Sequence, residues 1–211
     1  MSFGKEAKEY LKKFLYLLWK DDSLKGWIFS IIFIFIFIKF IFFPVLSLLT
    51  GTSLPLAIVE SCSMYHKGDI FSNSNSWWNR NDNKYAELNI TKQEFLDFSL
   101  KKGFNKGDIL FIIGANPDKL KLGDVIIFNG GQQNPVIHRI INIKENPETG
   151  KKIFSTEGDN NNGQLSVEKE ITEQQIIGKA VFKLIPIAGW GKLIFYEYKQ
   201  PPENRGFCSE N

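Results

Sequence analysis

The chain is poor in the residues that most often carry chemistry. Among 211 residues it has two cysteines and two histidines. Cys62 and Cys208 fall into no metal-ligand spacing, so no structural metal framework is read from them. A disulfide between them is conceivable outside the cytosol, two unrelated thiols is the plainer expectation, and spacing does not decide. A net charge of +3, with no Lys/Arg-rich stretch interleaved with aromatics, gives no nucleic-acid signature. No repeat of solenoid period occurs. Charge itself is missing from one long stretch: residues 26–54 hold only Lys39, and no further Lys or Arg appears before Lys67.

What is present begins with that stretch. Gly26–Leu49 reads GWIFSIIFIFIFIKFIFFPVLSLL. A membrane-spanning helix needs about 20 mostly apolar residues, whereas a strand rarely exceeds about 10. The apolar core of a cleaved leader, about 7–15 residues, is also shorter than this run. One retained span is therefore expected. Lys39 lies past its midpoint and can snorkel outward, and Pro44 can kink or end the helix. Six lysines precede the span: Lys5, Lys8, Lys12, Lys13, Lys20 and Lys25. The positive-inside tendency puts the N-terminus in the cytosol and residues after about 50 outside. Glu6–Trp19 mixes lysines with Tyr10, Leu11, Phe14, Leu15 and Leu18, which fits an amphipathic helix on the inner membrane surface or a short cytosolic helix.

The rest reads as mostly β. Strands are predicted over 56–60, 109–113, 125–128, 135–143, 152–156 and 176–185. Gly107-Asp108 and Gly123-Asp124 are turn pairs ahead of two of them. Along 135–143, Val136, His138, Ile140 and Asn142 share one face. Residues 65–104 are a polar, Asn-rich insert. Thr91-Lys92-Gln93-Glu94 has capping-box spacing and predicts a helix over 92–100. Asn89-Ile90-Thr91 is a glycosylation sequon. Trp77-Trp78 suits either a membrane-interface anchor or a local core. The segment 158–164 is turn-rich, the tail 200–211 is polar, and no second span appears.

A serine needs an adjacent base to act as a nucleophile, and imidazole suits that work near pH 7. An acid then fixes the base's tautomer. Ser63, His138 and Asp159 lie on separate strand ends and loops, as a β scaffold would assemble them. A single strand histidine is more often structural, so these residues alone specify little.

Their setting specifies more. Ser61-Cys62-Ser63-Met64 follows the span. Then come the Gly-Asp turns, Ile137-His138-Arg139-Ile140, Gly158-Asp159-Asn160-Asn161 and Gln175-Ile176-Ile177-Gly178-Lys179-Ala180, in that order. This pattern resembles the type I signal peptidase family over about residues 26–190, apart from the insert. The His-Arg-Ile motif matches the archaeal and endoplasmic-reticulum branch, in which His replaces the bacterial Lys base. The resemblance implies a β catalytic domain with one N-terminal transmembrane helix and, here, a small helical insert. It implies Ser63 as nucleophile, His138 as general base and Asp159 as the acid beside it. The Ser63 N–H, with the Ser61 hydroxyl, would hold the oxyanion. The implied substrates are preproteins whose signal peptides end in small residues. Membrane lipid and the protein-export channel are the implied neighbours, and no cofactor, metal or nucleic acid is implied.

Three positions depart from the family. Cys62 stands where Gly is common. Tyr65-His66 follows Met64 where Glu-Pro or Met-Pro is usual. Leu165 and Ser166 occupy the region of a second Asp, with Glu168 the nearest acid. The third catalytic member therefore stays open between Asp159, Glu168 and none. His66 competes with His138 as base. Cys62 is an alternative nucleophile, though in a strand it and Ser63 face opposite ways.

The expected organisation is a cytosolic segment 1–25, a span 26–49, an extracytoplasmic catalytic domain 50–199 with insert 65–104, and a tail 200–211. The expected function is a membrane-anchored serine endopeptidase that removes signal peptides, at an archaeal cell surface in preference to the reticulum. The alternative is a non-catalytic, membrane-tethered binding module derived from a peptidase fold.

Overall fold

The computed structural model describes residues 3–67, 74–202 and 205–209. Parts of the expected insert (68–73) and tail (203–204, 210–211) lie outside the described residues. The chain divides into two compact units, Met1–Leu49 and Thr50–Asn211.

The first unit is helical. Helix α1 (Phe3–Trp19) turns at 20–23 into α2 (Leu24–Phe37). Ser23 caps α2 through its hydroxyl, which accepts from Gly26 N at 3.2 Å. Helix α1 folds back against α2. Its Phe14 packs edge-on against Phe29 and Phe33 of α2, and the Ser30 hydroxyl donates to Leu18 O at 3.1 Å. Helical structure continues past α2 through a π turn (Ile38–Phe42) into α3 (Phe43–Thr50). Pro44 has no N–H to give, and the looser turn just before it, in which Phe43 N bonds Ile38 O, absorbs the mismatch. The helix therefore neither ends nor breaks at Pro44. Leu24–Thr50 together form 27 residues, long and apolar enough to cross a membrane.

The second unit is built on one antiparallel sheet of seven strands in the order β1-β2-β7-β3-β4-β5-β6. These are β1 (Leu56–Ile58), β2 (Ile109–Ile113), β3 (Val125–Phe128), β4 (Val136–Glu145), β5 (Lys152–Glu157), β6 (Ile171–Thr172) and β7 (Ile176–Ile185). The β-branched runs at β2, β3 and β7 are strands as predicted; two-residue β6 was not legible. One apolar cluster centres on Val59, Met64, Leu110, Ile112 and Ile127. A second gathers Ile126, Phe128, Ile140 and Phe154. Residues of β3 thus alternate between the two clusters.

The two Gly-Asp turns are more than hairpin chemistry. Gly107 and Gly123 have φ of 88° and 84°. A Cβ on Gly107 would lie 2.3 Å from the Trp190 ring, and one on Gly123 would lie 2.1 Å from the Phe98 ring. The following aspartates accept from the backbone N–H of Asn105 and Lys121 respectively. Each also pairs with a lysine of β7, Lys183–Asp108 at 2.8 Å and Lys179–Asp124 at 2.6 Å. The same device thus enters β2 and β3 and ties both to the strand between them.

The insert forms helix α4 (Ser74–Glu87) and helix α5 (Lys92–Asp97). Thr91 and Glu94 make the predicted capping box, and α5 is shorter than the 92–100 expected. Trp77 and Trp78 are buried with Tyr85, Ile90 and Phe95 in an aromatic cluster. That satisfies the local-core reading of the tryptophan pair. A last helix, α6 (Trp190–Glu197), was not predicted. It docks on the first Gly-Asp turn, with Trp190 Nε1 donating to Lys106 O at 3.1 Å.

Cys62 and Cys208 are joined in a disulfide across a sequence separation of 146. A cross-link of such span restricts the unfolded chain strongly. Replacing both cysteines with alanine should lower stability by about 2–5 kcal/mol. Denaturant midpoints of the two forms measure this; equal midpoints would contradict it.

Candidate active site

Ser63 lies on a turn and not in a strand. Pairing of β1 ends at Ile58, and Val59 still exchanges hydrogen bonds with Gly107 and Asp108. Then Tyr65 N bonds Cys62 O at 3.0 Å and the chain reverses. Met64 is fully buried, and Phe104 N bonds its carbonyl. Plugging Met64 into the core anchors the turn beside Ser63. Cys62 is committed to its disulfide and offers no thiolate.

Two successive residues of β4 define the site's two halves. Pairing of Ile126 with His138 and Val125 with Arg139 fixes their register. His138 Nε2 is 2.8 Å from Ser63 Oγ. His138 Nδ1 bonds Glu168 Oε1. Glu168 is fully buried, and its carboxylate also accepts from the Thr156 hydroxyl at 3.1 Å and from Leu165 N at 2.7 Å. A carboxylate on Nδ1 requires the proton there, leaving Nε2 as acceptor for the serine hydroxyl. Ser61 Oγ is 3.1 Å from Ser63 Oγ. The hydroxyl of Ser63 is occupied as donor by His138, so Ser61 is the donor in this contact.

Arg139 serves the other half. It is fully buried, and its Nε and Nη2 make a paired contact with Asp159 at 2.8 and 2.7 Å. Its remaining donors reach Ser99 O, Gly123 O and Leu100 O. Asp159 also accepts from Tyr85 OH at 2.9 Å, and His66 Nε2 lies 2.8 Å from its other oxygen. The His66 ring stacks on Trp77 at 3.6 Å. Burial opposes ionisation of Asp159. Arg139 and then His66 outweigh it and hold the carboxyl well below the usual carboxylate range. Burial, and then the Asp159 charge, push the Tyr85 hydroxyl well above its ordinary value.

The structure thus brings together Ser63, His138 and Ser61 but not Asp159. The acid on His138 is Glu168, where the motif pointed to Asp159. The reason is strand alternation: Asp159 meets the side chain of Arg139, which faces opposite to His138. His66, the competing base, is engaged with Asp159. Glu168 was weighed on sequence proximity alone. Thr156 and the insert's Tyr85 were not foreseen, because nothing local marks contacts made across a fold. Among the described residues no group of three His, Cys, Asp or Glu side chains could hold a metal ion.

Comparison with known proteins follows the same line. The chain is 35% identical over 111 residues to signal peptidase complex catalytic subunit SEC11 of Zygosaccharomyces rouxii, covering 49% of this chain and 65% of that one. It is 32% identical over 102 residues to the SEC11 subunit of Lachancea thermotolerans, covering 45% of this chain and 60% of that one. Human SEC11C matches at 29% identity over 113 residues, 49% of this chain and 56% of that one. Over about half of its length the chain is similar to signal peptidase complex catalytic subunits. No family model matches it. It spans less than two thirds of the length of these signal peptidase subunits. The sheet, the apolar N-terminal helix and the order of the motifs are consistent with a signal-peptidase fold.

The Arg139–Asp159 pair has a measurable signature. The Asp159 pKa is lowered in the folded state, against an unfolded value of about 3.9. Its stabilisation is therefore fully present above about pH 4 and is lost as pH falls below that. Asp159→Asn leaves Arg139 buried and unpaired, and should cost about 3–5 kcal/mol at neutral pH. The variant should also lose less stability than the parent between about pH 4 and 2. Denaturant titrations across pH check both; a variant as stable as the parent at pH 7 contradicts the pairing.

Proposed function

We propose that the protein is a membrane-anchored serine endopeptidase that removes N-terminal signal peptides from exported preproteins. The observation that carries this reading is the continuous hydrogen-bond chain from Ser63 Oγ through the His138 ring to Glu168. His138 takes the Ser63 proton as the oxygen attacks the scissile carbonyl, and returns it to the leaving amine. A water then gives its proton to the same ring as its oxygen attacks the acyl-enzyme carbonyl, and the ring returns that proton to Ser63 Oγ as the ester bond breaks. Glu168 holds the ring's tautomer and stabilises the imidazolium that forms. The Ser63 N–H and the Ser61 hydroxyl serve the oxyanion; loss of one such donor costs about 10²–10³ in turnover.

The anchor confines the enzyme to the bilayer that also receives the signal peptide's apolar segment, which raises the effective concentration of the cut site. On this reading the N-terminus is cytosolic and residues after about 50 are extracytoplasmic. The lysines before Leu24 support this orientation. The Cys62–Cys208 bond supports it too, since such bonds persist in oxidising compartments. Lipid and the export channel are neighbours on this reading. The non-catalytic alternative drew on the absence of a second Asp, and Glu168 against His138 removes that support.

Preprotein cleavage by the full chain in detergent micelles tests the assignment. Ser63→Ala and His138→Ala should abolish it, and Glu168→Gln should lower turnover by about 10²–10⁴. Parental rates in Ser63→Ala would refute the nucleophile. Parental rates in Glu168→Gln would refute the acid.

A further inference from the structure

The insert reaches the loop behind Ser63 through a lysine. Lys84, on α4, sends its ammonium into the loop that follows β5. There it donates to Gly158 O at 2.8 Å, Asn161 O at 2.7 Å and Asp159 O at 3.4 Å. It also pairs with Glu157 at 2.8 Å, and its side chain is mostly buried. Three carbonyls converging on one point repel one another unless a positive centre sits among them. Lys84 is that centre.

The same loop grips the catalytic turn. Asn160 N donates to Ser63 O at 2.8 Å, and its side-chain amide donates to Cys62 O at 3.1 Å. Asp159 N lies 3.4 Å from Met64 Sδ. Three successive residues, Cys62 to Met64, are thus held by the loop that Lys84 cages. The neighbouring Tyr85 bonds the Asp159 carboxylate from the same helix.

We infer that Lys84 is a positioning residue: by fixing the loop at 157–161 it sets Ser63 against His138, so the insert is a buttress of the active site. This rests on the peptidase reading above. A displacement of about 1 Å at a reacting atom can cost about 10²-fold in rate. Lys84 touches neither substrate nor the Ser63 hydroxyl, so it should act on turnover and not on binding.

The test compares the full chain in detergent micelles with Lys84→Met and Lys84→Arg, reading preprotein cleavage and amide hydrogen exchange together. Lys84→Met should lower kcat about 10–100-fold with KM within about two-fold of the parent. Exchange at Asn160 should rise at least about ten-fold while the amides of β4 and β5 keep their protection. Lys84→Arg should recover much of both. Parental kcat and parental Asn160 exchange in Lys84→Met would overturn the inference. So would a uniform rise in exchange across the sheet, which marks a general loss of stability. If the parent itself fails to cleave while Asn160 exchange still rises locally, the peptidase reading falls and the catalytic half of this inference with it. Should Lys84→Met not fold, Lys84→Gln, which keeps a shorter donor, carries the same two readouts.

Discussion

The alternation of His138 and Arg139 along β4 is the constraint on which the rest depends. One imidazole and one guanidinium leave the strand on opposite faces, so a single register delivers a ring nitrogen to the Ser63 hydroxyl and a buried cation to Asp159. A slip of one residue would exchange them and destroy both sites. The register is fixed twice over. The apolar residues of β3 pair directly opposite, and the turn before β3 gives its Gly123 carbonyl to Arg139.

A buried ion pair is rarely a net source of stability, because desolvating two charges offsets most of their attraction. This one is retained at a junction. Arg139 links Asp159 to the carbonyls of Ser99 and Leu100 at the end of the insert, and its guanidinium lies over the Phe95 ring at 5.3 Å. His66, Tyr85 and Trp77 close the opposite side. The insert, the second Gly-Asp turn and the loop behind Ser63 thus share one charge pair. Disturbing any of them is felt at the serine's support before it is felt at the serine.

Legibility in the sequence followed physical range. Apolar β-branched runs gave β2, β3 and β7 their positions, the first two also through the Gly-Asp turns ahead of them, because local pattern and burial agree there. The capping box placed the start of α5. Helix α4 was hidden by its asparagines, weak helix formers that owe their conformation to Trp77, Trp78 and Tyr85 packing below them. The serine and histidine were legible because their motifs are local. The acid was not, since Glu168 and Asp159 are both near in sequence and only opposite faces of β4 separate them. The disulfide was equally hidden, as two thiols so far apart in the chain carry no sign of their pairing.

The chain's two histidines make the central claim directly accessible by nitrogen NMR of histidine-labelled protein. Glu168 on Nδ1 of His138 and Asp159 on Nε2 of His66 require opposite neutral tautomers in the two rings. The account predicts one ring protonated at Nδ1 and the other at Nε2, with Glu168→Gln perturbing the first and leaving the second. Two rings of the same tautomer, or a His138 signal indifferent to Glu168→Gln, would contradict it.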